Sequence, residues 1–164
     1  MDQPLSFEDG LTSLLPRLRR FAHALSRNPT DADDLTQATV ERALRSKEQW
    51  QPGTRLDSWA YRIMRNLWID TARGRSRKEK VEAPAEEGER LGEDPTGAIH
   101  ASIELARVIA AMERLPDEQR EVVALILIEG FGYRETAEML GLPIGTVSSR
   151  LVRGRTALLE MIGA

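Results

Sequence analysis

Residues 133–155 read YRETAEMLGLPIGTVSSRLVRGR, two helical runs parted by a turn. Ala137 and Leu140 share the inward side of the first run, Gly141, Leu142 and Pro143 break it, and Val147, Leu151, Leu158 and Ile162 recur at helical spacing along the second. The pattern is a helix-turn-helix. Glu135 stands three residues after Gly132, a cap position, and the turn carries both a Gly and a Pro where the chain reverses. On the second helix Thr146, Ser149, Arg150 and Arg153 lie off the apolar side. Short hydroxyls and guanidinium groups are the donors that meet base edges and phosphates in a major groove. A helical hairpin buried in a core shows the same apolar spacing, so the DNA-binding reading rests on the polar face and the turn.

The rest of the chain supplies a setting for this element. Its 164 residues suit one medium domain or two small ones, since single domains commonly hold about 100–150 residues. Aromatics are only 5% while hydrophobics reach 41%, so cores must be built from Leu, Ile, Val and Ala, which suits helices. No period-2 alternation is present and no sheet is expected. Cysteine is absent and His occurs only at 23 and 100, which removes a disulfide framework, a thiol nucleophile and nearly every zinc site. No cofactor or metal is expected. The longest apolar run, residues 122–128, is too short to span a bilayer, and the N-terminal MDQPLSFEDG lacks a basic start with an apolar stretch behind it. A cytosolic location follows as the expectation.

A net charge of −3 looks wrong for a DNA binder, but placement matters more than the total. From Arg55 to Lys80 there are eight basic residues (Arg55, Arg62, Arg65, Arg73, Arg75, Arg77, Lys78, Lys80) against three acidic ones (Asp57, Asp70, Glu79). From Glu82 to Asp94 there are six acidic residues against Arg90 alone. The tract EAPAEEGERLGEDPTG has too little apolar content to fold and reads as a linker. The expected organisation is therefore all-α: a helical domain over residues 1–77, a flexible acidic linker over 78–97, and a second helical domain over 98–164.

In chain order, Leu11, Leu14, Leu15, Leu18, Phe21, Ala22 and Leu25 mark an apolar helical face, and Pro16 is expected to kink or split that helix. After Asn28-Pro29, Thr30 or Asp31 is expected to cap a second helix, which has a thin apolar stripe of Leu35, Ala38 and Leu44. Its wide polar side carries Asp34, Gln37, Glu41 and Arg45, either a solvated face or a dock for a basic partner. WQPGT at 50–54 reads as a loop. A third helix starts near Leu56, with Leu56, Ala60, Ile63, Met64, Leu67 and Thr71 on one face. Arg55, Arg62, Asn66 and Arg73 fall within about 40° of one another on a different face at about 100° per residue, a stripe suited to DNA. Tyr61 and Trp68, with Arg65 between them, combine stacking and cationic groups that suit unpaired bases, or else belong to the core; Trp59 reads as core. Beyond the linker, Ile99, Ile103, Ala106 and Ala110 mark one side of a helix that Pro116 ends. A further helix through VVALILI stops at Gly130 and supports the helix-turn-helix.

Three blocks in this order, DADDLTQATVERAL, LDSWAYRIMRNLWIDTARGRSR and LPDEQREVVALILIEGFGYRETAEMLGLPIGTVSSRLVRGR, resemble the group 4, extracytoplasmic-function sigma factors of bacterial RNA polymerase. The resemblance covers nearly the whole chain outside residues 81–97. It implies that Asp34, Gln37 and Glu41 grip the clamp of core polymerase. It places Arg62, Asn66 and Asp70 on the minus-ten element, to which the helical stripe adds Arg55 and Arg73 and the Tyr61–Trp68 flank adds Arg65, and likens residues 51–55 to a loop that captures a flipped base. It puts Ser148, Ser149, Val152 and Arg153 at positions that read the minus-thirty-five element. Ser148 often has Lys or Arg in relatives, and Gly132 stands where a Ser usually caps, which predicts a weaker or different minus-thirty-five specificity. WQPGTRLDSW and YRIMRN are also similar to the general-stress sigma factors of alphaproteobacteria, TARGRSRKEK gives no clear match to theirs, and the subgroup stays open. The family implies core RNA polymerase, promoter DNA and an anti-sigma factor as partners. The alternative is a sigma mimic that sequesters an anti-sigma protein; retention of Arg62, Asn66, Arg73 and Arg153 argues against it. The chain lacks a Cys, a P-loop and a GxGxxG pattern and has only two distant His residues, so catalysis is not expected.

Overall fold

A computed structural model describes residues 5–79 and 99–163, with side chains for 5–71 and 102–163. The linker expected over 78–97 thus lies almost wholly outside the described residues. Every described regular element is helical. The first three are α1 (Phe7–Ser26), α2 (Pro29–Arg45) and α3 (Leu56–Glu79), with a short 3₁₀ turn, Lys47–Gln49, between the last two. The other four are α4 (Ile99–Arg114), α5 (Asp117–Val123), α6 (Tyr133–Leu140) and α7 (Ile144–Ile162), with α5 running on into a π-helical turn at Ala124–Ile128.

Helices α1, α2 and α3 pack pairwise around Leu11, Leu18, Phe21, Leu25, Leu35, Ala60 and Met64. Helix α1 stays in one piece through Pro16. Proline removes the N–H that would reach Thr12, and both residues are exposed, so the freed carbonyl is open to solvent rather than buried. Helix α2 is capped not by Thr30 or Asp31 but by Asn28, whose side chain accepts from both of their N–H groups, with Pro29 at the first helical position. Its buried stripe is Ala32, Leu35, Thr36, Thr39 and Ala43, while Leu44 is 46% exposed. The expected stripe was out of phase because the threonines count as polar in sequence. In the helix their hydroxyls donate to Ala32 O (2.8 Å) and Leu35 O (2.7 Å) and are thereby free to be buried.

The C-terminal helices assemble on α7, which meets α4, α5 and α6. Ala137, Leu140, Val147 and Leu151 are buried as expected, and Leu158 packs at the edge of the core. Gly141 ends α6 at φ +67°, a left-handed conformation that glycine adopts without a Cβ penalty. Helix α4 departs from expectation: Ala111 and Met112, with Leu115 just past its end, are buried, whereas Ile103 is 52% exposed and Ala106 and Ala110 are exposed too. Only the C-terminal turns of α4 reach the core, so an apolar stripe farther up has nothing to cover.

Gly154 marks the closest approach of α5 and α7. A Cβ built there would lie 2.7 Å from Val123 Cγ2 and 3.4 Å from Gln119 Cβ. Val123 is buried and has no room to yield. Gly154→Val is expected to destabilise the C-terminal helices by about 1–3 kcal/mol through overpacking, despite the helix propensity of up to about 1 kcal/mol gained by removing glycine. A urea midpoint equal to that of the parent would mean that the two helices stand farther apart.

Candidate nucleic-acid interface

Three polar surfaces carry the predicted residues, and they differ in how open they are. On the first part of α7, Ser149, Val152 and Arg153 are exposed, Val152 at 61%, and Thr146, Ser148 and Arg150 are half-buried. Val147 and Leu151 anchor the opposite side, so the row is held rigidly by the core while its polar side faces outward. No side chain caps α6 at Gly132 or α7 at Pro143, which leaves the N-terminal N–H groups of both helices without side-chain partners.

The second surface lies on α2. Asp34, Gln37 and Glu41 are exposed, and Gln37 donates to Glu41 Oε1 at 3.4 Å. Gln37 and Glu41 border an open groove between α1 and α2 whose other walls include Leu15, Arg19, Asp33 and Val40. An acidic, partly apolar groove of this kind suits a basic helical partner.

The third surface is the α3 stripe, and the C-terminal helices partly cover it. Arg55 pairs with Glu135 of α6 and also with Asp57, Nη2 to Oδ2 at 2.8 Å. Arg62 donates to the Glu138 carbonyl at 3.3 Å, and Arg65 Nε reaches Glu121 Oε2 at 3.2 Å. Asn66 and Asp70 remain exposed. Arg73 lies on α3 beyond Thr71, so its side chain is outside the described residues. Burial works against the charge on Asp57, but hydrogen bonds from Arg55 and the Ser58 N–H and the nearby Arg17 outweigh it and hold its carboxyl below the usual range. Burial raises the Glu121 carboxyl, with Arg65 opposing.

Tyr61 is not a free stacking platform. It is 1% exposed, edge-on to Phe21 at 4.9 Å and to Phe131 at 5.3 Å, with its hydroxyl donating to Glu129 Oε2 at 2.6 Å. Burial, with Glu129 adding to it, drives the phenol well above its ordinary pKa. Trp59 packs on Phe7 at 5.9 Å, in keeping with a core role, and Trp68 is half-buried against the core.

Between α2 and α3 lies a small cavity of about 150 Å³, bordered by Arg42, Ser46, Gln49, Trp59, Asn66 and Asp70 among others. Residues 51–55 form an exposed turn in which the Thr54 N–H donates to Gln51 O at 3.1 Å. The cavity brings Asn66 and Asp70 together with three residues that sequence reading passed over, Arg42, Ser46 and Gln49. Arg17, Arg20, Arg120 and Glu129 also went unremarked, because only the folded chain brings these distant residues together.

Sigma-70 region 2 matches residues 11–78, and Sigma-70 region 4 matches residues 105–158. Over 157 residues the chain is 37% identical to the ECF RNA polymerase sigma factor EcfG of Rhodopseudomonas palustris (strain TIE-1), a match spanning 96% of this chain and 85% of that relative. To the ECF RNA polymerase sigma factor SigE of Mycolicibacterium smegmatis it is 42% identical over 149 residues, 89% of this chain and 57% of that longer one. Among solved structures it resembles the sigma factor RpoE in complex with the anti-sigma factor NepR from Bartonella quintana, at TM-score 0.85 and 31% identity over 96% of this chain and 97% of that one.

Proposed function

The chain belongs to the extracytoplasmic-function sigma factors of RNA polymerase, which direct promoter recognition and transcription initiation, and we propose that its three polar surfaces divide that work. The first, Thr146, Ser148, Ser149, Arg150, Val152 and Arg153 on α7, reads the minus-thirty-five element in the major groove. The second, Asp34, Gln37 and Glu41, holds core polymerase. The third, Arg55, Arg62, Arg65, Asn66, Asp70 and Arg73, engages the minus-ten element. The domain assignment that goes with this is residues 1–77 for polymerase and minus-ten binding and 98–164 for minus-thirty-five binding, with 78–97 between them. The protein acts in the cytoplasm as a binding subunit and catalyses nothing itself; among the described residues no helix is long and apolar enough to cross a membrane. An anti-sigma factor is its regulatory partner, as NepR is for the similar RpoE.

The observation that carries this reading is the outward row on α7, set just past the turn of a helix-turn-helix and rigidly backed by Val147 and Leu151. Run-off transcription on genomic fragments tests it: core polymerase with this chain is expected to start at discrete promoters that core alone ignores. Absence of any such start, together with tight binding of an anti-sigma protein, would identify a mimic.

Two substitutions test individual surfaces. Arg153→Ala is expected to weaken binding to promoter fragments that carry the upstream element by about 1–3 kcal/mol if the guanidinium meets a base, or to lower the salt slope by about one unit if it meets a phosphate. Unchanged affinity at every salt concentration would remove Arg153 from the interface. Asp34→Arg or Glu41→Arg is expected to reduce capture of core polymerase in a pull-down while circular dichroism stays that of the parent, because both carboxylates are exposed. Equal capture would argue against the α2 surface as the polymerase dock.

A further inference from the structure

The turn from α5 to α6 enters a socket on α1 and α3. The Glu129 side chain is fully buried there: Arg20 Nε and Nη2 donate to its two oxygens at 2.8 and 2.9 Å, the Tyr61 hydroxyl donates at 2.6 Å, and Arg17 Nε lies 3.5 Å away. Two residues on, Phe131 is 3% exposed, edge-on to Tyr61, with the Arg17 and Arg55 guanidinium groups 5.9 and 5.0 Å from its ring centroid. Around this plug, Glu121 takes Arg65, Glu135 takes Arg55 and the Glu138 carbonyl takes Arg62. Three arginines assigned to the minus-ten element are thus occupied by oxygens of the C-terminal half, as phosphate oxygens would occupy them on DNA. The α2 and α7 surfaces remain open in the same arrangement.

We propose that Glu129 and Phe131 form a latch by which the free chain closes over its own minus-ten surface, so that promoter engagement requires the two helical halves to part. The consequence for promoters rests on the assignment of the α3 stripe given above; the latch itself does not. The contact is built to be reversible. Arg55 and Glu135 are both about half exposed, so their pair is screened by salt, and Arg55 gains DNA phosphates once released; the Arg20 pair, whose carboxylate is buried, is screened less. A partner that favours one arrangement shifts the balance by its differential affinity for the two.

The chain has no cysteine, so dyes attached to Glu48→Cys and Thr156→Cys, both at exposed positions, report closure in the full-length protein. Energy transfer is expected to be high at low salt and to fall at about 1 M salt, where the Debye length is about 3 Å. Glu129→Gln and Phe131→Ala, one removing the charge and the other the ring, are each expected to lower transfer at low salt with helical content retained. If nine-tenths of the chains are closed, opening raises the apparent affinity of the free chain for a promoter fragment about tenfold. Transfer that is indifferent to salt and equal in both variants and parent would overturn the latch. So would lost transfer with no gain in promoter affinity, provided that the parent starts transcription with core polymerase. A parent that starts none would instead count against the functional assignment, and the transfer measurement would still decide the latch.

Discussion

Arg120→Met is expected to lower the stability of the protein by about 2–6 kcal/mol, about 1–3 kcal/mol for each of two buried carbonyls left without a donor. Arg120 is 1% exposed on α5, yet its guanidinium spends its donors across the molecule: Nε on Ala24 O at 2.6 Å, Nη2 on Leu25 O at 3.0 Å, Nη1 on Leu115 O at 2.8 Å, and Nη2 on the Asp117 carboxylate as well. Ala24 and Leu25 belong to the last turn of α1, where carbonyls have no helical N–H to accept from and where the helix dipole favours a cation. Burial lowers the pKa of the guanidinium and Asp117 works against that fall. Methionine fills the space of the stem but returns none of these bonds, so the Ala24 and Leu25 carbonyls are left without the Arg120 donors, while Leu115 O keeps the Arg27 guanidinium at 2.9 Å. Urea unfolding followed by circular dichroism is the measurement. A midpoint within experimental error of the parent would mean that water already reaches the end of α1 in solution, and hence that α1 and α5 do not meet as described.

What sequence reading could see, and what it could not, divides along the range of the interactions involved. The helix-turn-helix was legible because Ala137, Leu140, Val147 and Leu151 obey a local period and Gly141 supplies a local break. The exposed residues of α2 and α7 were legible as well, since a polar face is simply what the apolar period leaves over. The phase of α2 was misjudged because Thr36 and Thr39 bury their hydroxyls by bonding back along their own helix, a satisfaction that a hydrophobicity scale does not register. The role of Tyr61 was open in sequence for a different reason. Whether an aromatic on an arginine-rich helix waits for a base or sits in a core depends on what arrives from elsewhere, and here Glu129 and Phe131 arrive from about seventy residues away. The same holds for Arg120 and the carbonyls of α1. Such residues carry a weak signal in retrospect: Glu129 directly follows the apolar run of residues 122–128, and Arg120 stands two residues before it. Without the fold, nothing says which partner each would find. The π-helical turn at Ala124–Ile128, which rotates Glu129 relative to an ideal α-helix, has no residue signature at all.

Asn66→Ala is expected to leave holoenzyme assembly intact while reducing open-complex formation by about 5-fold to 150-fold, the equivalent of about 1–3 kcal/mol for one base contact. Asn66 lies on the exposed side of α3 and borders a different cavity from Gln37 and Glu41 of the α2 surface assigned to polymerase, which is why assembly is expected to be spared. Its amide borders the cavity between α2 and α3 together with Asp70, and it offers both donors and an acceptor to the edge of a base. Strand opening must draw its energy from bases captured once they leave the stack, because unpairing costs a few kcal/mol and a helix that reads only intact duplex gains nothing by melting it. The α2–α3 cavity and the exposed residues 51–55 are open even in the closed chain, whereas the Tyr61 ring is free only once Phe131 and Glu129 withdraw, so capture is expected to begin at the cavity. Permanganate reactivity of thymines near the start site measures the opening. On a template with a premelted bubble, a defect in base recognition persists, whereas a defect confined to separating the strands is largely rescued. Persistence is the expected result for a residue at the cavity. Full rescue would move Asn66 from base capture to duplex destabilisation, and normal permanganate reactivity on duplex promoters would remove it from the minus-ten interface.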